Sequence, residues 1–146
     1  MKLYLMRHGE AATKDIDPEQ GLTKNGKAAI EQLATRLSDQ GMHFSQVVHS
    51  EKTRARQTAE IMSHIVSPNA SRQQQANLTP NSNPAELLDE INHWVEDTLI
   101  VSHLPFIPSL LSRLVEEPQA IVFQPGTIVS LSKEGHLWRL DWVMSP

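Results

Sequence analysis

In this 146-residue chain, the segment Leu3-Tyr4-Leu5-Met6-Arg7-His8-Gly9-Glu10 joins an apolar run directly to a group of polar residues. The run Lys2–Met6 is short and mostly apolar, which predicts a buried strand. It stops at an arginine, a histidine and a glycine, so groups that can hold and attack a phosphoryl group directly follow the strand. Ligands of open α/β sheets bind at that edge, and Gly9 lets backbone or ligand approach closely. An Arg-His-Gly sequence alone is more often a polar turn, so the rest of the chain has to support a functional interpretation.

Outward from this stretch, hydrophobic periodicity and turn residues predict alternating strands and helices. Further strands are predicted at Gln46–His49, Thr98–Val101, Ala120–Phe123, Thr127–Leu131 and His136–Trp142, with a turn at Lys133-Glu134-Gly135. Helices are predicted from the N-cap Thr23 to Gly41, from Ser50 to a stop at Pro68-Asn69, from Pro84 to about Val95 and over Pro105–Val115, which precedes Pro118. Ser71 to Asn83 is expected to be irregular, with one short edge strand. This order predicts an α/β three-layer sandwich with a mostly parallel central sheet, antiparallel edge strands and helices on both faces.

The composition argues against several classes of protein. The length fits a single domain spanning residues 1–146. A net charge of −4 argues against a broad nucleic-acid surface. With no cysteine there can be no disulfide or thiolate metal site, which suits a cytoplasmic location. No apolar run approaches the length of a membrane span, so no membrane partner is expected.

Three predicted strands end in residues that suit a phosphate. Leu3–Met6 leads into Arg7-His8, Gln46–His49 leads into Ser50 and then Arg54, and Thr98–Val101 leads into Ser102-His103. If these strands are parallel neighbours, their carboxyl ends meet at one edge of the sheet. Two histidines and two arginines would then surround one cavity, with helix N-termini nearby to favour an anion.

The motifs at these strand ends resemble those of a known enzyme superfamily. The chain resembles the histidine phosphatase superfamily, whose fold is phosphoglycerate mutase-like, in Arg7-His8-Gly9, Arg54-Ala55 with Thr58-Ala59, and Ser102-His103. Within it, the chain resembles the SixA-type phosphohistidine phosphatases in Leu22-Thr23-x-x-Gly26, Leu78-Thr79-Pro80, Ser102-His103-Leu104-Pro105 and Trp142-x-Met144-Ser145-Pro146. The resemblance runs nearly from end to end.

The resemblance implies a role for each site residue. His8 would attack phosphorus and become phosphohistidine, which water would then hydrolyse. Arg7 and Arg54 would hold the phosphoryl oxygens with permanently charged, planar donors. His103, protonated beside the phosphoryl group, would donate to the same group. The substrate would be a phosphorylated histidine phosphotransfer domain of a signalling relay, with inorganic phosphate as the product and no cofactor.

Other candidate residues have weaker roles. Gly9, Ser50 and Ser102 are candidates for phosphate binding, although Ser50 is expected mainly to cap its helix. Arg56 lies two residues from Arg54, so it points elsewhere and is expected to pair with Glu60 at i+4. The remaining histidines show no paired ligand spacing and no acidic cluster, so no metal site is expected.

The substrate expectation depends on a missing general acid. Phosphomonoester-cleaving relatives carry a carboxylic acid on an insertion, whereas the segment between Thr58 and Thr98 is too short for a large lid. Glu10, Asp15 and Asp17 are left as weak candidates for such an acid. Two alternatives remain open at this point: a general small-molecule phosphomonoesterase of the same superfamily, and a carrier or binding module that holds phosphohistidine without hydrolysing it.

Overall fold

A computed structural model describes residues 1–116 and 120–146; the expected helix terminator Pro118 lies outside the described residues. Within the described ranges the elements are β1 (Lys2–Arg7), α1 (Lys24–Asp39), β2 (Gln46–His49), α2 (Thr53–Val66), β3 (Ser71–Gln74), a 3₁₀ turn (Ala76–Leu78), α3 (Pro84–Ile91), β4 (Thr98–Ser102), α4 (Phe106–Leu114), β5 (Ile128–Glu134) and β6 (Leu137–Met144).

The strands form one six-stranded sheet in the order β3-β2-β4-β1-β5-β6. The first four of these are mutually parallel, and β5 and β6 complete the sheet in antiparallel pairing. β4 lies between β2 and β1, so the carboxyl ends of all three strands reach the same edge. The predicted mixed sheet is therefore confirmed, including its short edge strand β3.

Helices cover both faces of the sheet, as predicted. Alternate residues of β1 point to opposite sides: Leu3 and Leu5 belong to the core cluster that contains the apolar residues of α3 and α4, while Tyr4 and Met6 belong to the cluster that contains those of α1 and α2. Because every second residue changes face, an apolar run without a polar break is what a strand buried on both sides requires.

Two helix boundaries differ from the predicted ones. The second helix starts at Thr53 with Lys52 as its N-cap, so the prediction that it begins at Ser50 is wrong. Ser50 is fully buried, and its hydroxyl contacts another part of the chain. The third helix ends at Ile91 rather than near Val95, and its C-cap amide closes the last turn on Leu88 O.

The prediction of a strand at Ala120–Phe123 is also wrong. Its backbone serves the site instead, because Phe123 O accepts a hydrogen bond of 2.8 Å from Arg7 Nη1. The final hairpin exists but is longer than predicted, and its turn falls at Gly135-His136, where Gly135 has a φ of +62°. A glycine suits that position because left-handed backbone costs it little.

None of the helices in the described ranges has the length and apolarity that crossing a membrane requires.

Candidate active site

The structure brings the polar ends of the parallel strands together. Arg7 at the end of β1 is in register with Ser102 at the end of β4, and His49 at the end of β2 is in register with Val101. His8 and His103 follow these ends, and their ring centroids lie 5.0 Å apart in a T-shaped arrangement. The predicted convergence of these strand ends is thus present in the fold.

Hydrogen bonds define which nitrogen of His8 is free. Its Nδ1 lies 2.7 Å from Gly9 O, a carbonyl that can only accept, so Nδ1 carries the proton. Its Nε2 accepts from Arg54 Nε at 3.3 Å, which requires a lone pair there. Both contacts give the same tautomer, so Nε2 is available as a nucleophile.

Thr58 supports this arrangement from α2. Its hydroxyl accepts from Gly9 N at 3.0 Å and donates to Arg54 O at 2.8 Å. The hydroxyl is buried and joins the loop after β1 to the turn of α2 that carries Arg54. The i, i+4 spacing of Arg54 and Thr58 places both on one helix face, and this spacing is the sequence signal of the contact.

Two guanidinium groups border the histidines. Arg7 is fixed by its bond to Phe123 O, and its buried Nε has no partner among the described residues. Arg54 extends from α2, and its Nε contacts His8 Nε2. Burial lowers the pKa of both guanidinium groups from the ordinary value, but arginine remains charged at neutral pH. The site therefore carries two fixed positive charges beside an unprotonated imidazole nitrogen.

Arg56 lies outside this group, as predicted. Its Nη1 lies 2.8 Å from Glu60 Oε1 in an i, i+4 ion pair whose side chains are about 40% exposed. The prediction that Arg56 pairs with Glu60 rather than with the pocket is confirmed.

The other candidate residues, Gly9, Ser102 and Ser50, have three different roles. Gly9 is glycine because a Cβ there would lie 2.8 Å from Ile30 Cγ1 of α1. The buried hydroxyl of Ser102 donates to Leu78 O at 2.6 Å, so its proton is already committed. Ser50 contacts the site directly, since its Oγ lies 2.8 Å from His103 Nε2.

Both histidines are held neutral, which differs from the expectation of a protonated His103. Desolvation by burial, with the nearby Arg54 and Arg7 charges, lowers the pKa of His8 to about 4 in spite of its bond to Gly9 O. Desolvation, followed by repulsion from His8 and Arg54, lowers the pKa of His103 to about 3. A nucleophilic imidazole needs its lone pair, so the same burial that disfavours a proton on His8 keeps it reactive.

Acid should therefore destabilise the fold through these rings. An unfolded histidine takes up a proton near its ordinary pKa of 6.5, whereas folded His8 and His103 stay neutral to about pH 4 and about pH 3. Below pH 6.5 the unfolded state binds more protons, so the free energy of unfolding decreases as the pH falls. Each ring should contribute up to about 2 kcal/mol of this loss at pH 4.5.

Urea unfolding at pH 7 and pH 4.5 measures this effect. His8→Gln should lose less stability between the two values than the wild type, while His136→Gln, which changes an exposed histidine of the hairpin turn, should match the wild type. Equal losses in all three proteins would contradict the neutral, buried state of His8.

The carboxylates nearest His8 in sequence are engaged elsewhere. Glu10 Oε1 accepts from the Thr23 hydroxyl at 2.7 Å. Asp17 accepts from the amides of Glu19 and Gly21 within its own loop. A hydrogen bond from the Thr13 side chain lowers the pKa of exposed Asp15, which keeps that carboxyl ionised. In the described residues no group of three or more His, Cys, Asp or Glu side chains could hold a metal ion.

Comparison with known families matches residues 3–76 to the histidine phosphatase superfamily, branch 1. Among curated proteins, the phosphohistidine phosphatase SixA of Escherichia coli strain K12 is 30% identical over 152 residues, covering 100% of this chain and 94% of that protein.

Solved structures show the same likeness. The protein histidine phosphatase SixA complexed with tungstate superposes with a TM-score of 0.87 at 28% identity, over 99% of this chain and 97% of that chain. Phosphoglycerate mutase from Bacillus anthracis str. Sterne gives a TM-score of 0.78 at 13% identity, over 97% of this chain and 91% of that chain. The second likeness concerns the fold alone and confirms the predicted phosphoglycerate mutase-like architecture.

Proposed function

Because the chain belongs to the histidine phosphatase superfamily, we propose that it is a phosphohistidine phosphatase that acts through a covalent intermediate on His8. One observation carries the proposal: His8 Nδ1 donates to Gly9 O, which leaves the Nε2 lone pair beside two arginines and a second histidine. We propose a phosphorylated histidine phosphotransfer domain as the substrate. A cytoplasmic location stays a prediction from the composition.

The first step is an in-line phosphoryl transfer. His8 Nε2 attacks phosphorus, the bond from phosphorus to the substrate's imidazole nitrogen breaks, and that imidazole leaves with the bonding electron pair and takes a proton from water. In the second step a water molecule attacks the phosphohistidine on His8, which releases inorganic phosphate and restores the neutral ring. No cofactor enters either step.

The arginines supply the charge that this transfer needs. A phosphoryl group in flight spreads negative charge over its three equatorial oxygens, so positioned cations are the main source of catalysis. When His8 Nε2 attacks phosphorus, Arg54 Nε donates its hydrogen bond to a phosphoryl oxygen instead of to His8 Nε2. Arg7 keeps its Nη1 on Phe123 O and offers its other nitrogens.

His103 completes the set that we propose to contact the phosphoryl group. Its ring lies beside His8 and is a hydrogen-bond donor in either protonation state. We leave Ser102 outside this set because its hydroxyl proton is bound to Leu78 O.

Leaving-group chemistry favours phosphohistidine over phosphate esters. An alkoxide leaving group needs a general acid, and Glu10, Asp15 and Asp17 each make other contacts or stay ionised. The segment between Thr58 and Thr98 forms the rest of α2, then β3, the 3₁₀ turn and α3. The stretches of this segment that lie outside these elements are at most six residues long, which is too short for a large lid.

Arg54 and Arg56 offer a matched pair of variants. Arg54→Ala should lower kcat/KM by about 10- to 150-fold, since a charge-assisted hydrogen bond is worth roughly 1.5–3 kcal/mol. Arg56→Ala should stay close to the wild type, because it removes a half-exposed ion pair with Glu60. Steady-state kinetics on a phosphorylated histidine phosphotransfer domain measures both, and equal losses would contradict the assignment of Arg54.

The experiment that tests the function is release of inorganic phosphate from that domain over many turnovers. Tungstate, which is bound in the solved structure of a SixA phosphatase, is an anion that suits a phosphate site. It should compete with the phosphorylated domain and inhibit phosphate release.

A further inference from the structure

A buried serine makes the one protein contact to the ring nitrogens of His103 in the described ranges. Ser50 is fully buried, and His103 is 1% exposed. Ser50 Oγ lies 2.8 Å from His103 Nε2 and also accepts from the Lys52 amide at 3.0 Å. The other ring nitrogen, Nδ1, is buried without a hydrogen-bond partner among residues 1–116 and 120–146.

The hydrogen-bonding capacity of the Ser50 hydroxyl determines which of Ser50 and His103 donates. A serine hydroxyl has one proton to donate and two lone pairs that accept. The Lys52 amide can only donate, so it occupies one lone pair. If His103 Nε2 also donated, the buried hydroxyl proton would have no acceptor, at a penalty that favours the opposite direction. The hydroxyl proton therefore points at Nε2, and Nε2 accepts.

We propose that Ser50 is a positioning residue that holds neutral His103 with its proton on Nδ1, so that Nδ1–H donates to the anion bound beside His8. This rests on the proposed function only in taking that anion to be a phosphoryl group. The Lys52 amide orients Ser50, Ser50 orients the ring, and the ring presents its unpartnered nitrogen as a donor. A phosphoryl oxygen, which only accepts, matches that nitrogen.

The electrostatics of the site agree with a neutral donor. Burial and the nearby positive charges lower the pKa of His103, so at neutral pH the ring carries one proton. The position of that single proton then decides whether the ring donates or accepts at Nδ1. Without Ser50, the tautomer with Nε2–H would turn a lone pair toward the anion, and the two would repel.

Imidazole nitrogen spectra of the full chain labelled with ¹⁵N test the proposal. In the wild type at pH 7.5, His103 Nδ1 should show the shift of a protonated nitrogen and Nε2 that of an unprotonated one. In Ser50→Ala the two shifts should move toward each other, as the proton distributes over both nitrogens. Ser102→Ala is the matched control: it removes the neighbouring buried hydroxyl, which binds Leu78 O, and should leave the His103 pattern unchanged.

Tungstate and kinetics connect the tautomer to the site. Saturating tungstate should shift the Nδ1 resonance of the wild type more than that of Nε2. Ser50→Ala should lower kcat/KM on a phosphohistidine protein by roughly tenfold, the value of about one lost hydrogen bond. The nitrogen spectra need no turnover, so a chain inactive on phosphohistidine would refute the proposed function while the spectra still decide the tautomer. Protonated Nε2 in the wild type, or identical spectra of the wild type and Ser50→Ala, would overturn the inference.

Discussion

Replacing His8 by alanine should abolish turnover while leaving the fold intact. His8 supplies the only nitrogen lone pair that the described contacts aim at the arginines, and its loss removes the covalent route entirely. We expect kcat to fall by at least about 10⁴-fold, the scale seen when a nucleophile is deleted. Incubation with a ³²P-labelled phosphohistidine domain should label the wild type in an acid-labile form and leave His8→Ala unlabelled.

His49 is the matched control for this experiment. It is also buried at the end of a parallel strand, and its Nδ1 bonds the next carbonyl, Ser50 O, at 2.9 Å. Its local geometry therefore copies that of His8, but its contacts place no arginine on Nε2. His49→Gln should become labelled and keep most of the turnover. Label on His8→Ala would show that another residue is the nucleophile.

Substrate choice should show the second large effect. The enzyme should hydrolyse a phosphohistidine domain efficiently, aryl phosphates weakly and sugar phosphates hardly at all. Imidazole leaves readily near neutral pH, whereas an alkoxide depends on general acid catalysis, which is worth about 10²- to 10⁴-fold. We expect at least that ratio in kcat/KM between the phosphohistidine domain and a sugar phosphate. Parallel assays with one enzyme preparation measure it.

Carboxylate variants test the reason for this preference. Glu10→Gln, which keeps a partner for the Thr23 hydroxyl, should leave the low rate on sugar phosphates unchanged. Faster turnover of a sugar phosphate than of the phosphohistidine domain would refute the proposed substrate. A rate on sugar phosphate that falls in Glu10→Gln would identify Glu10 as an acid after all.

Local patterns predicted the elements of the sheet and the strand ends that carry Arg7, His8 and His103. An unbroken apolar run indicates a strand that is buried on both faces of the sheet, and a polar residue directly after the run indicates where the strand ends. Neighbouring parallel strands share one edge, so these signals predicted that the two histidines would meet on the condition that their strands are neighbours, which the structure shows. The pairing of Arg56 with Glu60 could also be predicted, because residues four apart are neighbours on the surface of a helix.

Contacts between distant parts of the chain could not be predicted in this way. Ser50 and His103 are 53 residues apart, and Gly9 and Thr58 are 49 apart. Their hydrogen bonds depend on β4 lying next to β2 and on α2 lying next to the loop after β1, which no local pattern encodes. The wrong strand at Ala120–Phe123 has a similar cause, since its backbone is used by Arg7 rather than by a neighbouring strand.

Release of phosphate in excess over enzyme distinguishes a phosphatase from a phosphohistidine carrier. Enzyme would be mixed with a hundredfold excess of a phosphorylated histidine phosphotransfer domain, and free inorganic phosphate would be followed with time. A phosphatase that regenerates His8 should release phosphate until the domain is exhausted, and His8→Ala should release none above background. Transfer of at most one phosphoryl group per chain, with no further free phosphate, would contradict hydrolysis through His8 and indicate a carrier.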